Sequence, residues 1–362
     1  MELQKTFAEI NLKALSHNLS VVRRKTGTKN IIAVLKANAY GHGAAEISKY
    51  LVKNGVSYLG VAFANEALQL RETGIRTPIL VFFDTDHIKE CFEYDLTPVV
   101  FDFNTAKNLS REAVRRKRNI AIHIKVDTGM GRLGFTLDKA SAAIYKIAGL
   151  KNIRLEGLMS HFSDADLQDK EFAYLQLRKF LSLRKELRQN GITFNYFHMA
   201  NSAAVLTMPG AHLNMVRPGI MLYGYGNDDL KPVLSLRSKI LMLKKVPAAT
   251  PISYARTFIT KKKSIIATIP AGYADGYNRK LSNKGEVLIN GKRAPVIGRV
   301  CMDTIMADVT GIHDVSMDSE VVLIGSQGRE KITAADIADK TGTIPYEVLT
   351  SVGQRVKRVY KY

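Results

Sequence analysis

The chain has 362 residues, 46% of them hydrophobic, with 53 Lys and Arg against 33 Asp and Glu, a formal net charge of +20. That length and apolar content build one large core or two, no apolar run reaches the roughly 18 to 20 residues of a membrane span, and MELQKTFAEINL lacks the basic-then-apolar layout of a secretory signal, so a cytoplasmic protein is expected. Two cysteines, Cys91 and Cys301, exclude a disulfide framework and a Cys/His metal centre, and the positive charge is spread over both parts of the chain in short clusters without aromatic residues between them, which argues against nucleic-acid binding.

The first strong element is IIAVL (31–35), an apolar run that Lys36 closes. Similar short runs follow at SYLGVAFA (57–64), PILVFF (78–83), TPVVFD (97–102), IAIHIKVD (120–127), RLEGLMSH (154–161), FNYFHMA (194–200) and LNMVRPG (213–219). Amphipathic stretches lie between them, such as AAEISKYLVKNG, stopped by Gly55, and KEFAYLQLRKFLSLRKELRQNG, stopped by Gly191. Eight apolar strands alternating with helices predict a parallel (β/α)8 barrel over residues 9–230, its strands covered on both faces. An open doubly wound sheet is the alternative, but its usual GxGxxG turn after the first strand is missing.

After residue 230 the pattern changes. KPVLSLRSKILMLKKV, KSIIATIPA, EVLINGKRAPVIGRV, TIMADV and SEVVLIGS read as strands with no helices of useful length between them, and Asn290-Gly291 marks a tight hairpin. Residues 231–362 are therefore expected to form a mostly antiparallel β domain, with residues 1–8 packed against it. One late helix is signalled by Thr333 and Asp336, a capping pair.

In a barrel the active face lies at the C-terminal ends of the strands. Lys36 and Tyr40 follow the first strand, the fifth carries Lys125 and runs into a loop with Arg132, His161 ends the sixth, Ser202 follows the seventh, and Arg217 and Gly219 close the eighth. Each alone has an ordinary explanation: a half-buried histidine, a strand-end ion pair, a lysine bridging a carboxylate. Together they put an amine, an imidazole, two guanidiniums and a hydroxyl on one face. Barrels commonly hold a phosphate after strands seven and eight, where Ser202 and the backbone N–H groups of Gly219 and Ile220 stand. One molecule that joins a phosphate there to an amine at strand one is pyridoxal 5′-phosphate, whose aldehyde condenses with lysine.

The motifs AVLKANAYGHG (33–43), VDTGMGRLGF (126–135), EGLMSHFSDAD (156–166), HMANSAA (198–204), RPGIMLYG (217–224), GYADGY (272–277), GRVCMD (298–303) and IPYEVL (344–349) resemble the alanine racemase family from Ala8 to Tyr360. The resemblance implies a fold-type III pyridoxal-phosphate enzyme, an isomerase interconverting L-alanine and D-alanine by two-base proton transfer on a pyridoxal 5′-phosphate aldimine and supplying D-alanine for peptidoglycan. It further implies a homodimer whose sites are shared between subunits. Carried over by position, Lys36 is the Schiff-base lysine and one base. Tyr254 is the other base, from the partner subunit. His161 and Arg217 tune them, and Arg217 also faces the pyridine nitrogen. Because a guanidinium is effectively always protonated, it cannot give that nitrogen a proton.

The same resemblance assigns Tyr40, Ser202, Gly219, Ile220 and Tyr346 to the phosphate, and Arg132 with the backbone of Met302 to the substrate carboxylate and ring oxygen. Lys125 matches a position that is carbamylated in some members. Asp166, Arg279, Arg299 and Asp303 match the lining of an access corridor. No metal is implied. Ala255 and Arg256 depart from the glycine that many members carry after the catalytic tyrosine. A serine or broad-specificity racemase is the nearest alternative, although those compared have a signal peptide and more cysteines. A barrel-only pyridoxal-phosphate carrier would lack residues 231–362, and a decarboxylase on a similar barrel would place a carboxylate where Arg217 stands.

Overall fold

The structure is a computed structural model that describes residues 5–27 and 30–362. Residues 1–4 of the segment expected to pack on the C-terminal domain lie outside the described residues. The chain forms two compact units, one of Ser16–Ala39 and Ala44–Leu230, the other of Lys231–Tyr362 with Tyr40–Gly43 and the N-terminal residues up to Leu15. The second unit thus takes in two pieces that a single cut at residue 230 would assign to the barrel.

β1 (Phe7–Asn11) belongs to the second unit. The first unit contains β2 (Ile32–Val34), β3 (Tyr58–Val61), β4 (Ile79–Val81), β5 (Leu96–Val100), β6 (Ile120–Asp127), β7 (Phe135–Thr136), β8 (Ile153–Met159) and β9 (Tyr196–His198). They pair in parallel in the order β2-β3-β4-β5-β6-β8-β9, with β7 beside β6. Every residue of β2 to β5 is buried, as strands covered on both faces require. The run 213–219, expected as an eighth strand, is irregular, because Pro218 has no N–H and Leu213 has φ 52°. It still closes the ring: Ile32 and Val34 donate backbone bonds to Val216 and Pro218 (2.9 and 3.1 Å), and Arg217 donates to Ala200 beyond β9 (2.9 Å). The expected barrel helices form at Ala44–Lys53 and Glu171–Gln189, each followed two residues later by a glycine at positive φ, Gly55 and Gly191.

The second unit adds β10 (Leu234–Lys239), β11 (Met242–Val246), β12 (Pro251–Ile252), β13 (Phe258–Ile259), β14 (Ser264–Ile269), β15 (Glu286–Ile289), β16 (Lys292–Pro295), β17 (Ile305–Asp308), β18 (Glu320–Gln327), β19 (Glu330–Ile332) and β20 (Lys357–Lys361). A main sheet runs β16-β15-β18-β10-β1-β20, with β19 beside β18, and a smaller one runs β11-β14-β17. The pairings are antiparallel except β1 with β20. Asn290 (φ 50°) and Gly291 (φ 73°) join β15 to β16, both in the left-handed region that a two-residue hairpin turn demands. Thr333 and Asp336 cap the helix Ala334–Thr341 reciprocally. Among the described residues no helix is long and apolar enough to cross a membrane.

One local feature sits directly after Lys36. Ala37, Asn38 and Ala39 have φ 53–55° and ψ 47–52°, and Tyr40 also has φ 53°, a left-handed turn built without glycine. Each L-residue there costs roughly 1–2 kcal/mol. The turn is held from outside: Glu66 accepts from the backbone N–H of Ala37 (2.6 Å) and of Ala62 (2.7 Å), and Asn38 Oδ1 accepts from Ala44 N–H (2.7 Å). Replacing the exposed Ala37 with glycine relieves one such residue. Urea unfolding is expected to show Ala37→Gly more stable than the parent by up to about 1 kcal/mol.

Candidate active site

Within the barrel unit, Lys36 is partly buried, and burial, then the Arg132 guanidinium, lowers its pKa, with Glu66 opposing. Lys36 Nζ and the Arg132 guanidinium stand 6.0 and 5.4 Å from the same Phe83 ring. Arg132 is carried on a tight turn in which Asp127 accepts from the N–H groups of Gly129, Met130 and Gly131, all at 2.9 Å. Lys125 is only 3% exposed, and burial together with Arg217 and Arg132 brings its pKa down to about 7, Asp127 alone pulling the other way. The bridge to a carboxylate that would make Lys125 ordinary is not what holds it there.

Arg217, 4% exposed, is the most heavily bonded of these groups. Its NH1 donates to His198 Nδ1 (2.6 Å) and His198 O (2.8 Å), and its NH2 to Ser160 O (2.7 Å), His161 Nδ1 (3.1 Å) and Met199 O (3.1 Å). These acceptors account for the hydrogens on both terminal nitrogens and leave Nε–H outside the set. Burial lowers its pKa to about 9, so it stays charged at neutral pH. His161 is held well below the usual imidazole range by burial and by four cations, Arg217, Lys125, Arg132 and Lys36. Since its Nδ1 accepts, its Nε2 carries the proton. Gln176 donates to the His161 carbonyl (3.1 Å) and fixes the loop.

Ser202 Oγ accepts from Gly219 N–H (2.9 Å) and Met221 N–H (3.3 Å), which leaves its own hydroxyl proton to donate. The Gly219 N–H that sequence reasoning assigned to a phosphate is therefore engaged with Ser202, and Ile220 opens a short 3₁₀ turn, Ile220–Tyr223, directly after it. Asp166 is exposed in the loop after β8.

The remaining expected residues lie in the second unit. Tyr40, buried, packs its ring on Tyr346 (centroids 5.9 Å), and burial raises its pKa well above the ordinary phenol value. The following Gly41 (φ +82°) is clamped: a Cβ there would lie 2.2 Å from Leu349 O, and Arg358 donates twice to its carbonyl (3.0 and 2.9 Å). Tyr254 is 68% exposed on the short turn Tyr254–Arg256 and borders a cleft of about 470 Å³ with Ser253, Cys301, Met302 and Asp303. Ala255 and Arg256 take φ 58° and 52°, so the missing glycine is replaced by strained L-residues. Asp303 pairs with Arg355 (2.7 Å), which also grips Asp275 with two bonds. Arg279 and Arg299 line a separate basic cleft with Lys280, Lys284 and Lys340.

Sequence reasoning missed Glu66, Phe83, His123, Glu156 and His198. Two signals were present: His198 opens HMANSAA, and Glu156-Gly157 opens EGLMSH. Gly157 is needed because a Cβ there would lie 2.4 Å from the ring of His123 on the neighbouring β6.

Residues 10–227 match the family "Alanine racemase, N-terminal domain" and residues 233–360 match "Alanine racemase, C-terminal domain". The chain belongs to the alanine racemase family. It is 51% identical over 357 residues to the alanine racemase of Thermodesulfovibrio yellowstonii, covering 98% of this chain and 97% of that one. The solved alanine racemase of Clostridium difficile 630 superposes with a TM-score of 0.94 at 38% identity, over 100% of this chain and 97% of that one. An alanine racemase from Bartonella henselae with covalently bound pyridoxal phosphate gives 0.88 at 29% identity, over 99% of each. The barrel followed by a β domain is thus the family's fold, the chain is an isomerase acting on the enantiomers of alanine, and a serine or broad-specificity racemase is not favoured.

Two measurements test this geometry. Gly157→Ala forces the His123 ring aside and is expected to lower stability by about 1–3 kcal/mol in urea unfolding. Lys125 has a folded pKa of about 7 against 10.5 ordinarily, so its burial penalty is full below pH 7 and vanishes above 10.5. Lys125→Met is therefore expected to gain most stability at pH 6 and progressively less as pH rises through that window.

Proposed function

We propose that this racemase works through pyridoxal 5′-phosphate, held covalently by the ε-amine of Lys36, as a homodimer in which each site uses Tyr254 of the second subunit. The observation that carries the reading is the barrel-end cluster of Lys36, Lys125, Arg132 and Arg217 around a neutral His161, an electropositive pocket whose amine is held toward its nucleophilic form. Such a field calls for an anionic ligand. The donors of the barrel unit fit this cofactor: an amine for the aldehyde, hydroxyl and backbone donors at Ser202 and Ile220 for the phosphate, and Arg217 Nε–H for the ring nitrogen; the phenols of Tyr40 and Tyr346 are assigned to the phosphate by the family resemblance. Gly219 supports the phosphate site through its bond to Ser202. When bound, pyridoxal phosphate acidifies the α-proton of an attached amino acid.

The protein's own groups then move the proton. Inverting the α-carbon takes a base on each face. Lys36 serves one face and Tyr254 the other. His161, whose Nδ1 accepts from Arg217, presents Nε2–H as a donor and stabilises the Tyr254 phenolate. Arg217 can only donate, so it keeps the ring nitrogen unprotonated and favours rapid return of the proton over transamination. Arg132 and the Met302 backbone bind the substrate carboxylate, while Asp166, Arg279, Arg299 and Asp303 line the approach. Burial, Arg217 and Arg132 bring the Lys125 pKa down to about 7, which favours the neutral amine that adds to carbon dioxide with loss of a proton to solvent, and the resulting carbamate would orient Arg132. The exposure of Tyr254 supports the shared site, because a base working in water would lose its field to screening. In this reading residues 9–230 hold the cofactor, residues 231–362 supply Tyr254, and the enzyme makes D-alanine for peptidoglycan in the cytoplasm.

The test is α-proton exchange in heavy water with each alanine enantiomer. Purified protein loaded with the cofactor is expected to exchange both, and exchange of neither would refute the reading. Lys36→Ala is expected to abolish the cofactor's lysine-linked absorbance, whereas Tyr254→Phe keeps it and loses exchange from L-alanine. Mixing these two inactive variants is expected to restore roughly a quarter of the parent activity, as random dimers do when one intact site forms in each mixed pair; no recovery would contradict the shared site.

A further inference from the structure

From Arg217 a line of buried polar groups runs through His198 and His123 to Glu156. His198 Nε2 lies 2.8 Å from His123 Nδ1, and His123 Nε2, which makes no hydrogen bond among the described residues, faces Glu156 Oε2 across 3.5 Å. Glu156 Oε2 accepts from Tyr58 OH (2.8 Å), and Oε1 accepts from Arg154 NH1 (2.8 Å). Both imidazoles are fully buried. A guanidinium only donates and an ionised carboxylate only accepts, so the proton positions along the line have one solution. Arg217 donates to His198 Nδ1, which puts the His198 proton on Nε2. That proton points to His123 Nδ1, which puts the His123 proton on Nε2, facing Glu156.

The charged and titratable surroundings are few. Arg132 and Lys125 face Arg217, Lys125 also faces His198, and the Tyr196 ring flanks His123 (6.2 Å) and Tyr58 (5.8 Å). Burial pushes both imidazole pKa values down, and both stay neutral. Burial alone would raise the Glu156 carboxyl, yet the nearby His123 ring and the bonds from Tyr58 and Arg154 hold it at about 2. Its outer edge borders a cleft of about 220 Å³ where Asp95 and Arg118 also stand. Arg154 is 54% exposed, so water screens that ion pair.

We infer that Glu156 is a positioning residue for the racemase reaction, acting through His123 and His198 to supply the counter-charge of the Arg217 guanidinium and to fix the direction of its donors. Glu156 touches no reacting atom. The inference rests on the reading that Arg217 meets the ring of pyridoxal phosphate, and it extends that reading to the opposite end of the strands. It also accounts for Gly157, whose missing side chain makes room for the His123 ring.

The test is the pH dependence of the bound cofactor's absorbance in the parent, Glu156→Gln, His123→Phe and the double variant. Glutamine keeps an acceptor for His123 and removes only the charge. With one negative charge gone the site is more positive, the protonated chromophore is disfavoured, and the titration midpoint is expected to fall by roughly half to one pH unit. His123→Phe leaves the Glu156 charge in place but cuts the line, so it is expected to shift the midpoint the same way. The double variant should shift no further than the larger single one. A Glu156→Gln midpoint equal to the parent's overturns the inference, as do additive shifts or an unmoved His123→Phe, which would reduce Glu156 to a distant charge. If Glu156→Gln does not fold, Glu156→Asp decides, with a smaller fall in support and no fall against. A parent protein that forms no lysine-linked absorbance band with pyridoxal phosphate refutes the cofactor reading instead, a failure distinct from these.

Discussion

A guanidinium buried with no carboxylate against it among the described residues is the constraint around which the barrel unit is arranged. Taking a charge out of water costs several kcal/mol unless its donors are satisfied. Arg217 is satisfied by neutral acceptors alone: three carbonyl oxygens and two imidazole nitrogens. Those acceptors come from the last residue of β9 and the loops after β8 and β9, so satisfying Arg217 is the same act as placing His161, Ser160, His198 and Met199. In residues 213–219, Pro218, with no N–H, and the left-handed Leu213 break the ladder, while the bonds to β2 and Ala200 still close the ring.

The cations then set each other. Lys36, Lys125, Arg132 and Arg217 share one end of the barrel with His161, and their mutual repulsion, added to burial, lowers the two lysines and keeps the histidine neutral. A carboxylate beside Arg217 would relax all of these at once. Its absence leaves the pocket ready for anions and the amine of Lys36 ready for an aldehyde. The left-handed turn after Lys36 belongs to this arrangement, because four strained residues persist only where Glu66 and Asn38 fix the chain around them.

The barrel was legible because buried parallel strands must be continuously apolar, and seven of the eight runs contain regular strands. The eighth run, LNMVRPG, has the composition of a strand, but Pro218 cannot donate to a ladder. Lys36, Lys125, Arg132, His161, Ser202 and Arg217 were legible as strand-end residues, since β/α alternation fixes which end each occupies. Tyr254 was not, and only motif resemblance named it, as its short turn carries no periodic signal. His123 and Glu156 were hidden for another reason. They sit inside strands, where a polar residue reads as an exception to an apolar run unless its partners are known, and those partners come from β3, β6 and β9, far apart in the chain.

The central claim is that Arg217 dictates the protonation of the imidazoles on either side of it. Nitrogen-15 spectra of the histidine rings, recorded on the cofactor-free protein from pH 5 to 8, test it most directly. The account expects His161 and His198 to remain neutral across that range with the proton on Nε2, and to move toward ordinary titration when Arg217 is replaced by methionine. Titration of either ring near its usual value of 6.5 in the parent protein, or a proton on Nδ1, would contradict it.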